Sequence, residues 1–246
     1  PLAMVTAYDS TFASIVDEAG VDLILVGDSV ATVMQGQRNT LGVSMQDMEY
    51  HVRLVASVKP NALIVGDMPF GSYQSSVKDA VDNAVRLVKA GAEIVKLEGG
   101  IHVADQIRAI AAADIPVMGH IGLTPQSVHA LGGFKVQGRG DDAARVIEDA
   151  KALAAAGVFA IILEAVPASL AAEITAQLSI PTIGIGAGKD CDGQVLVWTD
   201  LMGLTEKMPK LAKAYRNMRK EMADAVSEFA SDVAAGRFPT ADQSFN

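Results

Sequence analysis

A single cysteine, Cys191, occurs in the 246 residues, which excludes an internal disulfide framework and leaves no thiolate set for zinc. A reducing, cytoplasmic compartment is therefore expected. Aromatic residues are scarce at 5%, so alanine and aliphatic side chains must fill the core that a 50% hydrophobic content implies. Positive charge is also the minority: 20 basic residues stand against 29 acidic ones, a formal net charge of −9. A protein that lives on phosphate contacts leans the other way, so no nucleic-acid partner is expected. Long apolar runs are missing too. The longest, Ala152 to Leu163, lies between Lys151 and Glu164 and is too short to span a bilayer, so no membrane partner is expected. No charged segment precedes an apolar stretch at the start, so no signal peptide is visible from Pro1 onward, and a targeting peptide ahead of Pro1 would lie outside this sequence. A chain that runs from Pro1 straight into strand-like residues is expected to have lost a leading segment. No Pro/Ser-rich linker divides the sequence, and a single domain over 1–246 is expected.

What is present is an alternation of short apolar runs and helical stretches. Strands are predicted at Met4–Thr6, Leu23–Val26, Ala62–Val65, Ile94–Leu97, Pro116–Met118, Ala160–Leu163, Thr182–Ile185 and Gln194–Val197. Helices are predicted at Thr11–Ala19, Asp47–Val58, Ser76–Ala90, Val103–Ala112, Asp141–Ala155, Ala168–Gln177 and over Pro209–Ala235. Gly20, Gly91 and Gly157 stand where helices should close with positive φ. One βα unit per roughly 30 residues is the spacing of a (β/α)₈ barrel. An open doubly wound sheet alternates in the same way, so element order alone does not close the barrel. The stretch from Ile185 to Gln194 is too short for a helix, which makes the last unit irregular.

The informative feature is the polar residue at the end of each apolar run. Asp28 and Ser29 follow the second run, Asp67 the third, Lys96 and Glu98 close the fourth, His120 the fifth and Glu164 the sixth. In a barrel these are C-terminal strand ends, where reacting groups gather on one face. Lys96 and Glu98, two residues apart, project to the same side. An aspartate in such a place can equally be a helix cap or a turn former, and Glu164 can cap the helix near Pro167. Clustered carboxylates with no cysteine or histidine cluster suit a hard cation, Mg²⁺. Such an ion takes the carboxylate and keto oxygens of a 2-oxo acid and stabilises the enolate formed by loss of the adjacent proton. Lys96 is expected to pair with the substrate carboxylate; a Schiff base is the alternative. Gly132–Gly140 reads as a mobile loop over the mouth.

Taken together, Thr6–Asp9, Val26–Ser29, Asp67–Phe70, Val95–Gly100, Gly119–Gln126, the Gly132–Gly140 loop, Leu163–Pro167, Ile183–Gly188 and the closing Ser244-Phe245 resemble the ketopantoate hydroxymethyltransferase family. The resemblance implies a (β/α)₈ TIM barrel of the phosphoenolpyruvate/pyruvate group with C-terminal helices, assembled as a homo-oligomer, a decamer of two pentamers. It implies transfer of a one-carbon unit from 5,10-methylenetetrahydrofolate to 3-methyl-2-oxobutanoate, giving 2-dehydropantoate for pantothenate synthesis, with one Mg²⁺ per subunit. Residue by residue, it implies Asp28, Asp67 and Glu98 at the metal. It implies Asp28, Ser29, Asp67 and Lys96 on the 2-oxo acid, His120 beside that substrate, and Glu164 as proton acceptor. The leading helix that the family carries before its first strand is expected to lie ahead of Pro1, outside this sequence, and Thr205–Pro209 is less family-like.

Two rival functions share these features. A lyase or mutase of the same barrel group would use the same carboxylates, but its C–C cleavage often calls for a cysteine acid on a loop, and Cys191 lies in the wrong kind of segment. A non-catalytic scaffold binding metal and oxo acid would gain nothing from the extra carboxylate of Glu164.

Overall fold

Parallel strands covered on both faces read as nearly continuous apolar runs, and such runs build the first of two compact units, Pro1–Val197. In the computed structural model, which describes residues 1–245, the order is β1 (Leu2–Thr6), α1 (Ser10–Glu18), β2 (Leu23–Val26), α2 (Val30–Val33) and α3 (Met45–Ala56). It continues through β3 (Leu63–Asp67), α4 (Val77–Ala90), β4 (Ile94–Glu98), α5 (Ala104–Ala112), β5 (Val117–Gly122), α6 (Ala143–Ala156), β6 (Ala160–Glu164), α7 (Ala168–Gln177), β7 (Thr182–Ile185) and β8 (Gly193–Leu196). The eight strands pair in sequence order, all parallel, and β8 returns to β1 to close the barrel. Closure decides the question that element order left open: the polar strand ends form a ring rather than a line.

The helices sit where local chemistry starts and stops them. Asp9 caps α1, Ser44 and Asp47 form a reciprocal capping box on α3, and Ser76 caps α4. Gly91 and Gly157 end α4 and α6 in the left-handed conformation, as predicted. On α4 the buried residues Ala80, Ala84, Leu87 and Ala90 repeat at helical spacing and face the core. No helix separates β7 from β8, as the short interval required.

Two sequence readings are corrected. Strands β3 to β6 run one to four residues further than predicted, so Asp67, Glu98, His120 and Glu164 belong to the strands themselves. Their polarity had marked them as loop, but at this end of a barrel strand a polar side chain lies in the sheet. The helix expected over Pro209–Ala235 begins only at Met218, as α9 (Met218–Ala234). It lies in the second unit, which starts at Trp198 with α8 (Trp198–Leu201). There the Tyr215 and Met218 amides donate to Leu201 and Met202 carbonyls instead of extending a helix backwards. Among the described residues, no helix is long and apolar enough to cross a membrane.

Candidate active site

Strand register assembles the polar residues. In the β3–β4 ladder Asp67 stands opposite Lys96, and in the β4–β5 ladder Glu98 stands opposite His120. Asp28 lies in the turn after β2 and Glu164 ends β6, so five consecutive strands contribute. Asp28, Asp67, Lys96, Glu98 and His120 are all buried. Glu164 keeps 17% of its side-chain surface, which makes it the member of the group that solvent reaches.

Lys96 is the centre. Its Nζ donates to Asp67 Oδ1 at 2.8 Å and Oδ2 at 2.9 Å, and lies 3.5 Å from Glu98 Oε1. Burial by itself pulls an ammonium pKa down, but Asp67, Glu98 and Asp28 outweigh it and hold Lys96 above the usual lysine range. A protonated amine is a poor Schiff-base nucleophile. Asp67 Oδ2 also accepts from the Asp28 amide at 3.0 Å.

His120 lies between two carboxylates, with Nδ1 3.3 Å from Glu98 Oε1 and Nε2 3.2 Å from Glu164 Oε2. Both nitrogens are buried and neither contact meets hydrogen-bond geometry, so these are ion pairs held by charge more than by alignment. Burial and Lys96 press the imidazole toward neutrality, whereas Glu98 and Glu164 together raise its pKa to about 9.

The plainer structural roles fail for the key carboxylates. The first turn of α7 begins after Pro167 with no side-chain cap, so Glu164 is not used there. The short α2 has Ser29 at its N-cap, again with no side-chain cap bond. Ser29 Oγ instead meets the buried Tyr8 hydroxyl at 2.7 Å. In the same region the Gln137 amide of the Gly132–Gly140 loop donates to the Ala165 carbonyl next to Glu164.

Two participants escaped the sequence reading because neither is charged. Gln126 accompanies Asp28 and Glu98, and Tyr73 accompanies Gln126 and the Glu98 backbone. The one available signal was the placement of Gln126 in the Gly122-Leu123-Thr124-Pro125-Gln126 segment that follows His120.

The metal expectation has two sides. Three carboxylates, Asp28, Asp67 and Glu98, share one ammonium. Burial and then the charges of Asp67 and Glu98 push the Asp28 pKa well above the usual carboxylate range. A buried anionic set short of positive charge suits a hard cation by its chemistry. However, among the described residues no group of three or more His, Cys, Asp or Glu side chains is drawn together in a form that could hold a metal ion. The reason is visible in the contacts: Lys96 occupies both oxygens of Asp67, while Glu98 faces Lys96, His120 and the Gln126 amide.

Comparison with known proteins gives a consistent result. The profile of the family described as ketopantoate hydroxymethyltransferase matches residues 1–241. The 3-methyl-2-oxobutanoate hydroxymethyltransferase of Pelobacter propionicus is 56% identical over 247 residues, covering 100% of this chain and 92% of that protein. The protein of the same name from Geobacter sulfurreducens is 57% identical over 248 residues, covering 100% and 93%. Among solved structures, 2,3-dimethylmalate lyase, a member of the PEP mutase/isocitrate lyase superfamily, is similar with a TM-score of 0.62. It is 14% identical, and the match covers 100% of this chain and 86% of that one. That likeness shows the fold alone, a barrel of the same kind.

Proposed function

The chain belongs to the ketopantoate hydroxymethyltransferase family and is a transferase, and from that premise we propose the reaction that its mouth performs. It transfers a one-carbon unit from 5,10-methylenetetrahydrofolate to C3 of 3-methyl-2-oxobutanoate and, with water, yields 2-dehydropantoate, a precursor in pantothenate synthesis. The observation that carries this reading is the convergence of Asp28, Asp67, Lys96, Glu98, His120 and Glu164 from five strand ends.

Asp28, Asp67 and Glu98 are the residues that would hold Mg²⁺, once turned from Lys96, His120 and Gln126 toward a shared ion. When bound, that ion supplies Lewis-acid polarisation of the substrate's keto oxygen, which acidifies the neighbouring C–H. The remaining work falls to side chains of this chain. Lys96, fixed by Asp67 and held protonated, presents positive charge to the substrate carboxylate. Ser29, anchored by Tyr8, offers a hydroxyl to the same group. Glu164 is the carboxylate that solvent, and hence substrate, can reach. It accepts the C3 proton, and the electron pair left on C3 attacks the folate's methylene carbon as one of that carbon's two C–N bonds breaks. Water then displaces the other nitrogen, which leaves the hydroxymethyl group on C3 and releases tetrahydrofolate. His120 sets where Glu164 points.

Homo-oligomerisation, as a decamer, is part of this proposal and rests on family membership alone. The direct test is to incubate the protein with Mg²⁺, 3-methyl-2-oxobutanoate and methylenetetrahydrofolate and to measure 2-dehydropantoate. Product that forms only when both substrates are present is expected; its absence with folded, metal-supplied protein refutes the assignment.

A further inference from the structure

Tyr8 stands just past the end of β1 and is fully buried, whereas Ser29, ahead of α2, is half-buried. The phenol hydroxyl lies 2.7 Å from Ser29 Oγ and also hydrogen-bonds the buried side chain of Thr6, the last residue of β1. Tyr8 is held from α3 as well. His51 Nδ1 lies 2.7 Å from the Tyr8 carbonyl, which can only accept, so that nitrogen carries the proton. Gly27 leaves the room that the Ser29 hydroxyl occupies, since a Cβ at position 27 would lie 2.8 Å from Ser29 Oγ.

Each of these three hydroxyls has one proton to give. A carboxylate offers no donor, so one that meets Ser29 must receive the Ser29 proton. The contact between Ser29 and Tyr8 is then filled only by Tyr8 donating, and the phenol oxygen is left to accept from Thr6. Burial holds the phenol pKa above the usual tyrosine range, so Tyr8 keeps the proton that this arrangement requires. The hydroxyls thus form a line from the core outward, and a bound carboxylate fixes its direction.

We infer that Tyr8 is a positioning residue of the 2-oxo acid site, holding Ser29 as an outward donor to the substrate carboxylate. The inference rests on the proposed role of Ser29 at that carboxylate. A serine hydroxyl left to itself turns among three staggered positions, and a ligand that needs one of them must order it on binding. With Tyr8 behind it and the space that Gly27 leaves, one position is occupied before substrate arrives, so less freedom is lost on binding. Phenylalanine at position 8 would fill nearly the same volume and leave the serine undirected. Tyr8 therefore sets how tightly the 2-oxo acid is held, acting through Ser29.

The test is calorimetric binding of 3-methyl-2-oxobutanoate with Mg²⁺ present, in the wild type, Tyr8→Phe, Ser29→Ala and the double variant, with thermal unfolding recorded for each. Ser29→Ala removes a hydrogen bond to a charged group and should bind the oxo acid roughly 10–100-fold more weakly. Tyr8→Phe should lose a smaller factor, about 3–10-fold. The double variant should lose no more than Ser29→Ala alone, because Tyr8 acts through the serine. A Tyr8→Phe protein that melts lower but binds the oxo acid as the wild type does overturns the inference. So does an equal loss from Tyr8→Phe when Ser29 is already alanine. If Tyr8→Phe does not fold, Gly27→Ala decides, since its Cβ displaces the Ser29 hydroxyl and leaves the phenol intact. Binding weakened only while that hydroxyl is present supports the inference; unchanged binding, or equal loss in Ser29→Ala, overturns it. A wild type that binds no oxo acid removes the proposed function and this inference with it, whereas wild-type binding matched by Ser29→Ala removes the inference alone.

Discussion

His120 on β5 and Glu164 at the end of β6 approach to 3.2 Å between Nε2 and Oε2. Through its other nitrogen the same ring lies 3.3 Å from Glu98 Oε1, so one imidazole joins the proposed base to the buried carboxylate cluster. Because both contacts depend on charge, the protonation of His120 determines how firmly Glu164 is held.

That dependence gives a pH prediction. The groups facing His120 are Lys96, which opposes its charge, and Glu98 and Glu164, which favour it and set its pKa at about 9 against an ordinary 6.5. A folded-state pKa raised above the unfolded value contributes stability that is fully present below pH 6.5 and is lost as pH rises through about 9. An NMR titration of the metal-free protein should show the His120 ring changing near pH 9. The wild-type melting temperature should fall across that window more than that of His120→Gln. A ring titrating at or below 6.5 contradicts the ion pairs.

Lys96→Met tests the centre of the cluster. It leaves Asp67 and Glu98 buried without their ammonium, and removing one partner of a buried pair costs about 3–5 kcal/mol. Chemical denaturation without metal should show that loss, and added Mg²⁺ should restore part of it. For the variant that retains activity, KM for the oxo acid should rise. Borohydride trapping of a covalent adduct at Lys96 in the wild type would instead revive the Schiff base.

Asp28→Asn and Asp67→Asn test the metal. Each should weaken Mg²⁺ binding in calorimetry while the circular dichroism spectrum stays native. Asp28→Asn removes a carboxylate whose charged form is already disfavoured by burial, so it should cost the metal-free fold little. Unchanged Mg²⁺ affinity in both variants refutes the site.

Gly100→Ala tests the support beneath Glu98. A Cβ there would run into the Asp149 carboxylate, which reaches over from α6 to accept the Ile101 amide at 2.8 Å. Overpacking of this kind costs about 1–3 kcal/mol. Urea denaturation should show that loss, and the added loss should shrink when Asp149→Ala provides the room.

The sequence made the barrel legible because alternating apolar runs and glycine stops repeat along Pro1–Val197, and each predicted strand there has a counterpart. The charged members of the site were legible for a related reason: Asp67, Lys96, Glu98, His120 and Glu164 interrupt runs that are otherwise apolar. Gln126 and Tyr73 were not, since an amide and a phenol outside any strand carry no periodic signal, and their importance lies in hydrogen bonds to residues 98 and 25 positions away. The stretch before Met218 misled because its composition suits a helix, whereas its Tyr215 amide is taken by the Leu201 carbonyl of α8.

Proton removal by Glu164 is the central claim, and isotope exchange tests it without folate. With Mg²⁺ in deuterated water, the wild type should exchange the C3 hydrogen of 3-methyl-2-oxobutanoate. Glu164→Gln should bind metal and oxo acid as the wild type does and lose exchange by roughly 10²–10⁴-fold, the span expected for a missing general base. Exchange in Glu164→Gln at the wild-type rate would contradict the account and move the base to another group at the mouth, His120 first.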